Sequence, residues 1–259
     1  MGAAMGNFID FKVSNPMAWV AGGAGAVRDA LKALGANYKP PFECPDGMKP
    51  VLGGGFEMGS TDGFGDEGPV HDVELSSFCL DRSEITVRTF DSKCPGRRQE
   101  EGGYSLSDRP AIGMDWYAAD ECCKAMGKRL PTEAEWEFAA RGFSGNEYMD
   151  KESINERNVH YKSEMTANVC TYETNGLGLC DMIGNASEWV ADWYGPYDEG
   201  PVKDPSGFNN GDRKVIRGGG CRSNDSNYLR ASNRFKASPG HFGYALGFRC
   251  AADPIKTAR

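Results

Sequence analysis

Apolar and polar positions change rhythm along the chain, and those changes predict its elements. Over 48–60 and 70–81 apolar residues recur partly at every second position, with a Gly- and Asp-rich stretch at 61–68 between them. That pattern predicts two strands paired as a hairpin. A short helix or turn begins near Ser83-Glu84-Ile85-Thr86-Val87, and 94–110 is polar and turn-rich. A helical rhythm follows: Trp116, Ala119, Cys123 and Met126 share one face, Cys122 sits at its edge, and Gly127 ends the run. Thr132-Glu133-Ala134-Glu135 spells a capping box behind Pro131, Trp136, Ala139 and Ala140 make the buried stripe, and Gly142 closes the helix. Glu133, Glu135 and Glu137 are expected to favour the helix dipole and solvent rather than chemistry. Strand-like runs return at Lys214–Arg217, leading into Gly218-Gly219-Gly220-Cys221, and at 245–250.

The first 43 residues differ in texture. Asn15-Pro16 can start a helix, but Gly22, Gly23 and Gly25 interrupt it, and the apolar run over 17–27 is too short to span a bilayer. Only Lys12 precedes that run, so it is a weak match to a signal-peptide core. Val27, Ala30, Leu31 and Leu34 have amphipathic spacing, and Lys39-Pro40-Pro41 forms a stiff linker. An arm this small is expected to dock on the rest of the chain or on a neighbouring subunit, making the protein part of a larger assembly. The organisation read here is an arm over 1–43, a main domain over 44–253 and a tail over 254–259.

Composition narrows the function. A net charge of -8 and a pI near 5.1 argue against nucleic-acid or anionic-membrane partners. Thirty-four glycines and fourteen prolines point to a loop-rich fold that needs staples. The nine cysteines contain no Cys-x-x-Cys and no neighbouring histidines, which favours disulfides in an extracytoplasmic compartment over a zinc site. Buried reduced thiols are the alternative. Cys170 and Cys180 flank a stretch centred on Asn175-Gly176, so a bridge across a hairpin is sterically reasonable.

The stretch Asp181-Met182-Ile183-Gly184-Asn185-Ala186-Ser187-Glu188-Trp189 offers oxygens to a hard cation. Asp181 and Glu188 supply carboxylates, and Gly184 and Ala186 supply carbonyls. An ordinary Gly-Asn turn is the competing reading from this segment alone.

Six separated blocks together resemble the sulfatase-modifying-factor family, whose type member is the formylglycine-generating enzyme. They are Gly54 to Ser60 (GGFEMGS), Asp81 to Thr86 (DRSEIT), Gly127 to Gly142 (GKRLPTEAEWEFAARG), Gly184 to Trp193, Arg217-Gly218-Gly219 and Gly247-Phe248-Arg249. The resemblance implies a single α+β domain with little regular structure, related to the C-type lectin fold. It also implies calcium at Asp181, Gly184, Ala186 and Glu188. In that fold the strands ending near Cys221 and Cys250 come together, so a Cys221 to Cys250 disulfide is expected. Family enzymes bind copper with two thiols and convert a substrate cysteine to an aldehyde. Here the corresponding segment, Arg222-Ser223-Asn224-Asp225-Ser226-Asn227-Tyr228, has no cysteine. Iron-dependent relatives carry clustered histidines, whereas His71, His160 and His241 are far apart in sequence.

Two functions follow as expectations. The first is a non-catalytic binding or assembly protein taking a protein or glycan ligand on the 222–244 insert, through Asn224, Asp225, Asn227, Tyr228, Phe235, His241, Phe242 and Tyr244. Such a mix of adaptable polar groups and rigid aromatics suits recognition. Proteins diversified by retroelements use this fold and vary this segment, which leaves that role open too. The second is an oxidoreductase modifying a cysteine on a target protein, with Cys221 as its candidate thiol.

Overall fold

The computed structural model describes residues 40, 42–95, 107–142, 148 and 151–255, so the helix expected over 27–34 lies outside the described residues. Among the described residues the fold is α+β, built from three helices and three small sheets. With strands numbered in chain order, β1 (Met48–Val51), β4 (Phe78–Asp81) and β10 (Ala251–Ala252) form one antiparallel sheet with β4 central. In the second, β3 (His71–Leu75) pairs antiparallel with β2 (Gly54–Met58) and parallel with β6 (Val202–Lys203). The third contains β5 (Ser187–Trp193), β7 (Lys214–Arg217), β8 (Phe235–Ala237) and β9 (Leu246–Phe248), in the order β8-β7-β5-β9.

The single hairpin expected from 48–60 and 70–81 is therefore two pairings in two sheets. Met48 opposes Asp81 in one, and Gly54 opposes Leu75 in the other. The chain changes sheet at Gly53, where a Cβ would lie 2.2 Å from the Leu75 carbonyl oxygen. Only glycine permits that approach.

Helices α1 (Val87–Lys93), α2 (Trp116–Ala125) and α3 (Glu133–Ala140) begin at Thr86, Asp115 and Thr132, each accepting a backbone N–H of the first turn through its side chain. The capping box at Thr132 and Glu135 is present as the sequence predicts. Two large apolar cores result, beside a small cluster of Phe42, Met48, Cys79 and Ala252. One gathers Trp136 of α3 with Val73, Leu80 and Val190, and the other gathers Trp189 with Cys123, Leu130 and Phe248. Strand β5 passes between them, sending Trp189 into one and Val190 into the other by its alternation.

The α3 carboxylates do not face solvent. Glu133, Glu135 and Glu137 are 4%, 8% and 0% exposed. Each meets arginine: Glu133 accepts two bonds from Arg234 at 2.7 and 2.8 Å, Glu135 accepts two from Arg129 at 2.7 Å, and Glu137 joins Arg141 and Arg217. The dipole argument placed them correctly in the first turn, but Arg234 and Arg217 lie 101 and 80 positions away in the chain and could not be matched to them by spacing.

Asp192 of β5 adds a further contact, its Oδ2 accepting the Glu133 amide at 2.8 Å. Burial, reinforced by the Glu133 charge, pushes the Asp192 carboxyl up to about 8. Unfolded, it ionises near pH 4. Between those values the folded state keeps a proton that the unfolded state has released, so stability falls as pH rises. Lys214, lowered by burial to about 8, stays largely charged in both states up to about pH 7.5. Asp192→Asn should therefore flatten the loss of denaturation midpoint between about pH 5 and about pH 7.5. Parallel curves for the two proteins would refute this.

Four disulfides staple the described residues: Cys44 to Cys79, Cys94 to Cys122, Cys123 to Cys250, and Cys170 to Cys180. No helix among the described residues is long and apolar enough to cross a membrane.

Candidate functional site

The 181–188 loop is wound tightly. Asp181, Gly184 and Asn185 have φ of 49°, 76° and 51°, and a Cβ on Gly184 would stand 2.5 Å from Val159 Cγ1. The Cys170 to Cys180 bridge closes its entry, with the Cys170 amide donating to Asp181 Oδ2 at 2.6 Å. The connecting stretch is a turn rather than a β-hairpin: Asn175 Oδ1 accepts from the Leu177 and Leu179 amides. Asn185 ties the loop outward, accepting from the Ala167 amide and donating to Glu84 Oε1 at 3.0 Å.

Three carboxylates meet around this loop. Glu188, on β5, is wholly buried against Arg249 and also accepts the Trp136 indole N–H at 2.8 Å. Arg249 further donates to the carbonyls of Cys180 and Asp181. Glu84 is 1% exposed, and its Oε2 has no hydrogen-bond partner. Burial, then the charge of Asp181, raises the Glu84 carboxyl well above its usual range. Burial also raises Asp181. Three carboxyl groups thus share one buried arginine, and one of their buried oxygens has no hydrogen-bond partner. A donor set of that kind fits a hard cation. Sequence reasoning placed Asp181, Gly184, Ala186 and Glu188 in this stretch but missed Glu84, whose signal was its place in the Asp81 to Thr86 block.

The second feature is a cleft of about 480 Å³ on the third sheet. Its floor draws on all four strands, Ser187 of β5 opposite Leu246 of β9 and Ile216 of β7 opposite Phe235 of β8, with Ala237 beside them, and Lys236 of β8 also lines it. Of the expected ligand residues, Asn224, Tyr228, Phe235 and His241 line it. Asp225, Asn227, Phe242 and Tyr244 do not. Asp225 instead caps the 3-10 turn Ser226–Leu229, Asn227 bonds back to it, and Phe242 and Tyr244 stand 47% and 61% exposed beside the opening. The rim is aromatic on one side, where Phe64 stacks on Tyr228 at 5.5 Å and Tyr228 approaches Phe235 at 5.9 Å. On the other side Arg222 lies over Tyr244 at 5.1 Å.

The Cys221 to Cys250 bridge is absent: Cys250 pairs with Cys123 on α2, and Cys221 is a free, buried thiol. Strand order explains the difference. Strand β5 lies between β7 and β9 and runs antiparallel to β7 but parallel to β9, so Cys221 and Cys250, which follow β7 and β9, leave the sheet at opposite ends. Burial raises the Cys221 thiol, away from the reactive thiolate.

A loop-rich α+β domain of three small sheets, with helices packed beside them, is the C-type-lectin-like class of fold. Residues 37–254 match the model of the sulfatase-modifying factor enzyme 1-like domain, and the chain belongs to that family. It is 36% identical over 236 residues to the serine/threonine-protein kinase Pkn1 of Chlamydia trachomatis, covering 78% of this chain but 38% of that protein, so the chain spans less than two fifths of that relative's length. It is 31% identical to the formylglycine-generating enzyme of Streptomyces coelicolor, covering 82% of this chain and 91% of the enzyme. Among solved structures, Treponema denticola variable protein 1 matches with a TM-score of 0.70 at 25% identity, over 80% of this chain and 95% of that one. PvdO from Pseudomonas aeruginosa matches at 0.67 and 26%, over 80% and 94%.

Proposed function

We propose that the chain is a non-catalytic binding protein of an extracytoplasmic compartment, holding a protein or glycan ligand in the third-sheet cleft. The observation that carries this reading is the chemistry of the cleft: none of its lining residues is a cysteine, and the adjacent thiol, Cys221, is 1% exposed. What remains there is recognition chemistry: apolar Ile216, Ala237 and Leu246, aromatic Tyr228 and Phe235, the Asn224 amide and the cationic Arg222 and Lys236. Four disulfides support an oxidising compartment. Assembly through the 1–43 arm belongs to the same reading.

Calcium is proposed at the neighbouring loop, held by Asp181, the carbonyls of Gly184 and Ala186, and the carboxylate cluster containing Glu188. When bound it would supply positive charge to buried carboxylates and stiffen the loop. The chain's own part is to hold that loop through Cys170 and Cys180, Asn185 and Arg249, directly before Ser187 enters the cleft floor.

Ala237→Trp tests the cleft reading, because a tryptophan on the edge strand β8 fills the floor without touching the buried ion pairs. Panning displayed peptides and a glycan array against both proteins should give ligands of the native chain that Ala237→Trp no longer retains, a loss of at least about tenfold. Identical ligand sets for the two proteins would contradict the assignment of this cleft.

A further inference from the structure

We propose that the ligand of the third-sheet cleft is an extended peptide in which a carboxylate side chain lies within two residues of an apolar one. The inference rests on the binding reading above and names the chemistry of what is bound.

Charge points to the carboxylate. The chain carries a net charge of -8, yet none of the described residues lining the cleft is Asp or Glu, while Arg222 and Lys236 both line it. A cleft lined by one sign of charge focuses its field on the space within. Neither cation is held in a close ion pair. Arg222 Nε lies 3.8 Å from a Glu164 carboxylate oxygen and Lys236 Nζ lies 3.6 Å from Asp66 Oδ2, with the two cationic side chains 48% and 37% exposed. Arg222 Nε also donates to the Glu164 carbonyl at 3.1 Å, a bond that uses a single one of its N–H groups. Loose, wet pairs of this kind contribute little, so both cations stay open to an incoming anion. A guanidinium and an ammonium suit a carboxylate.

The floor decides between a peptide and a glycan. Ile216, Ala237 and Leu246 offer no side-chain hydrogen-bonding atom, so a sugar laid on them would bury hydroxyls without partners, which is costly. An apolar side chain gains by the same burial. Strand β8 supplies backbone partners. It is an edge of its sheet, and its consecutive residues Phe235, Lys236 and Ala237 all line the cleft. Successive side chains of a strand point to opposite faces, so a cleft touching all three follows the strand's backbone as well as one face. An edge strand turns alternate N–H and C=O groups away from its neighbour. An extended peptide can pair with them while its side chains reach the floor and the two cations.

Panning a displayed library of random octapeptides at low salt, against the native full chain and Ala237→Trp, tests this, with enriched peptides titrated by fluorescence anisotropy and a glycan array run in parallel. The expected result is peptides retained by the native chain alone, each with Asp or Glu within two residues of an apolar residue. Replacing that acid with its amide should weaken binding at least about tenfold, and added salt should weaken the acidic peptide more than its amide. The double variant Arg222→Glu/Lys236→Glu should instead prefer the peptide whose acid is replaced by lysine, an inversion that loss of folding cannot produce. Peptides without an acid that bind the double variant and the native chain alike would overturn the charge assignment and leave the cleft reading standing. Ligands sensitive to Ala237→Trp that come only from the glycan array would overturn the peptide assignment in the same way. Ligands retained equally by Ala237→Trp, or none retained by the native chain, would overturn both readings.

Discussion

Replacing Cys123 and Cys250 together with alanine is expected to lower stability by about 5 kcal/mol, the largest loss available from any one bridge in the chain. The two cysteines are 127 positions apart, against 10 for Cys170 and Cys180. In the chain-entropy model the short loop contributes only about 3 kcal/mol. The long bridge also ties α2 to the end of the third sheet, at a point where Cys123 and Cys250 are wholly buried in one core. A domain of marginal stability loses most of its margin with such a change. Denaturant midpoints of the two double variants measure this directly. A Cys170/Cys180 variant less stable than the Cys123/Cys250 variant would contradict it.

Glu137→Ala should cost about 3–5 kcal/mol, because it strands two buried guanidinium groups. Glu137 Oε1 accepts from Arg141 at 2.5 and 3.0 Å and from the Gly59 amide at 2.9 Å, and Oε2 accepts from Arg217. Burial alone would raise this carboxyl, yet Arg141 and Arg217 outweigh it and hold it below the ordinary value. The sign follows from linkage. Stability from this group is fully present above the unfolded pKa of about 4.3 and is lost as pH falls below it. Glu74→Ala, which removes the exposed partner of Lys203, should by contrast leave the denaturation midpoint nearly unchanged. Equal effects of the two substitutions would show that the α3 network is not what joins the sheets.

Legibility of the fold tracked the range of the interactions. The helices at 116 and 133 could be read because caps and stripes are local, and the strand at Lys214–Arg217 because its glycine run ends it. Pairing could not. The two strands 48–51 and 54–58 read as one until Gly53 is placed against Leu75, and β5 reads as part of a loop until it is seen between β7 and β9. That same insertion of β5 moved Cys250 away from Cys221 and gave it to Cys123.

The candidate sites divide the same way. Asn224, Tyr228, Phe235 and His241 were accessible to reading because they lie in one insert. Ser187, Ile216 and Leu246, which make the cleft floor, come from three strands and carry no local mark of function. The cation loop was legible as a string of oxygen donors, but the unmet need of Glu84 Oε2 exists only after folding.

The central claim is that the cleft binds and does not oxidise. Oxygen uptake should be followed with the copper-loaded full chain and a cysteine-containing sulfatase peptide. The account predicts no peptide-dependent consumption above copper alone, for the native chain and for Cys221→Ser equally. Peptide-dependent uptake that disappears in Cys221→Ser would contradict it and make the buried thiol catalytic.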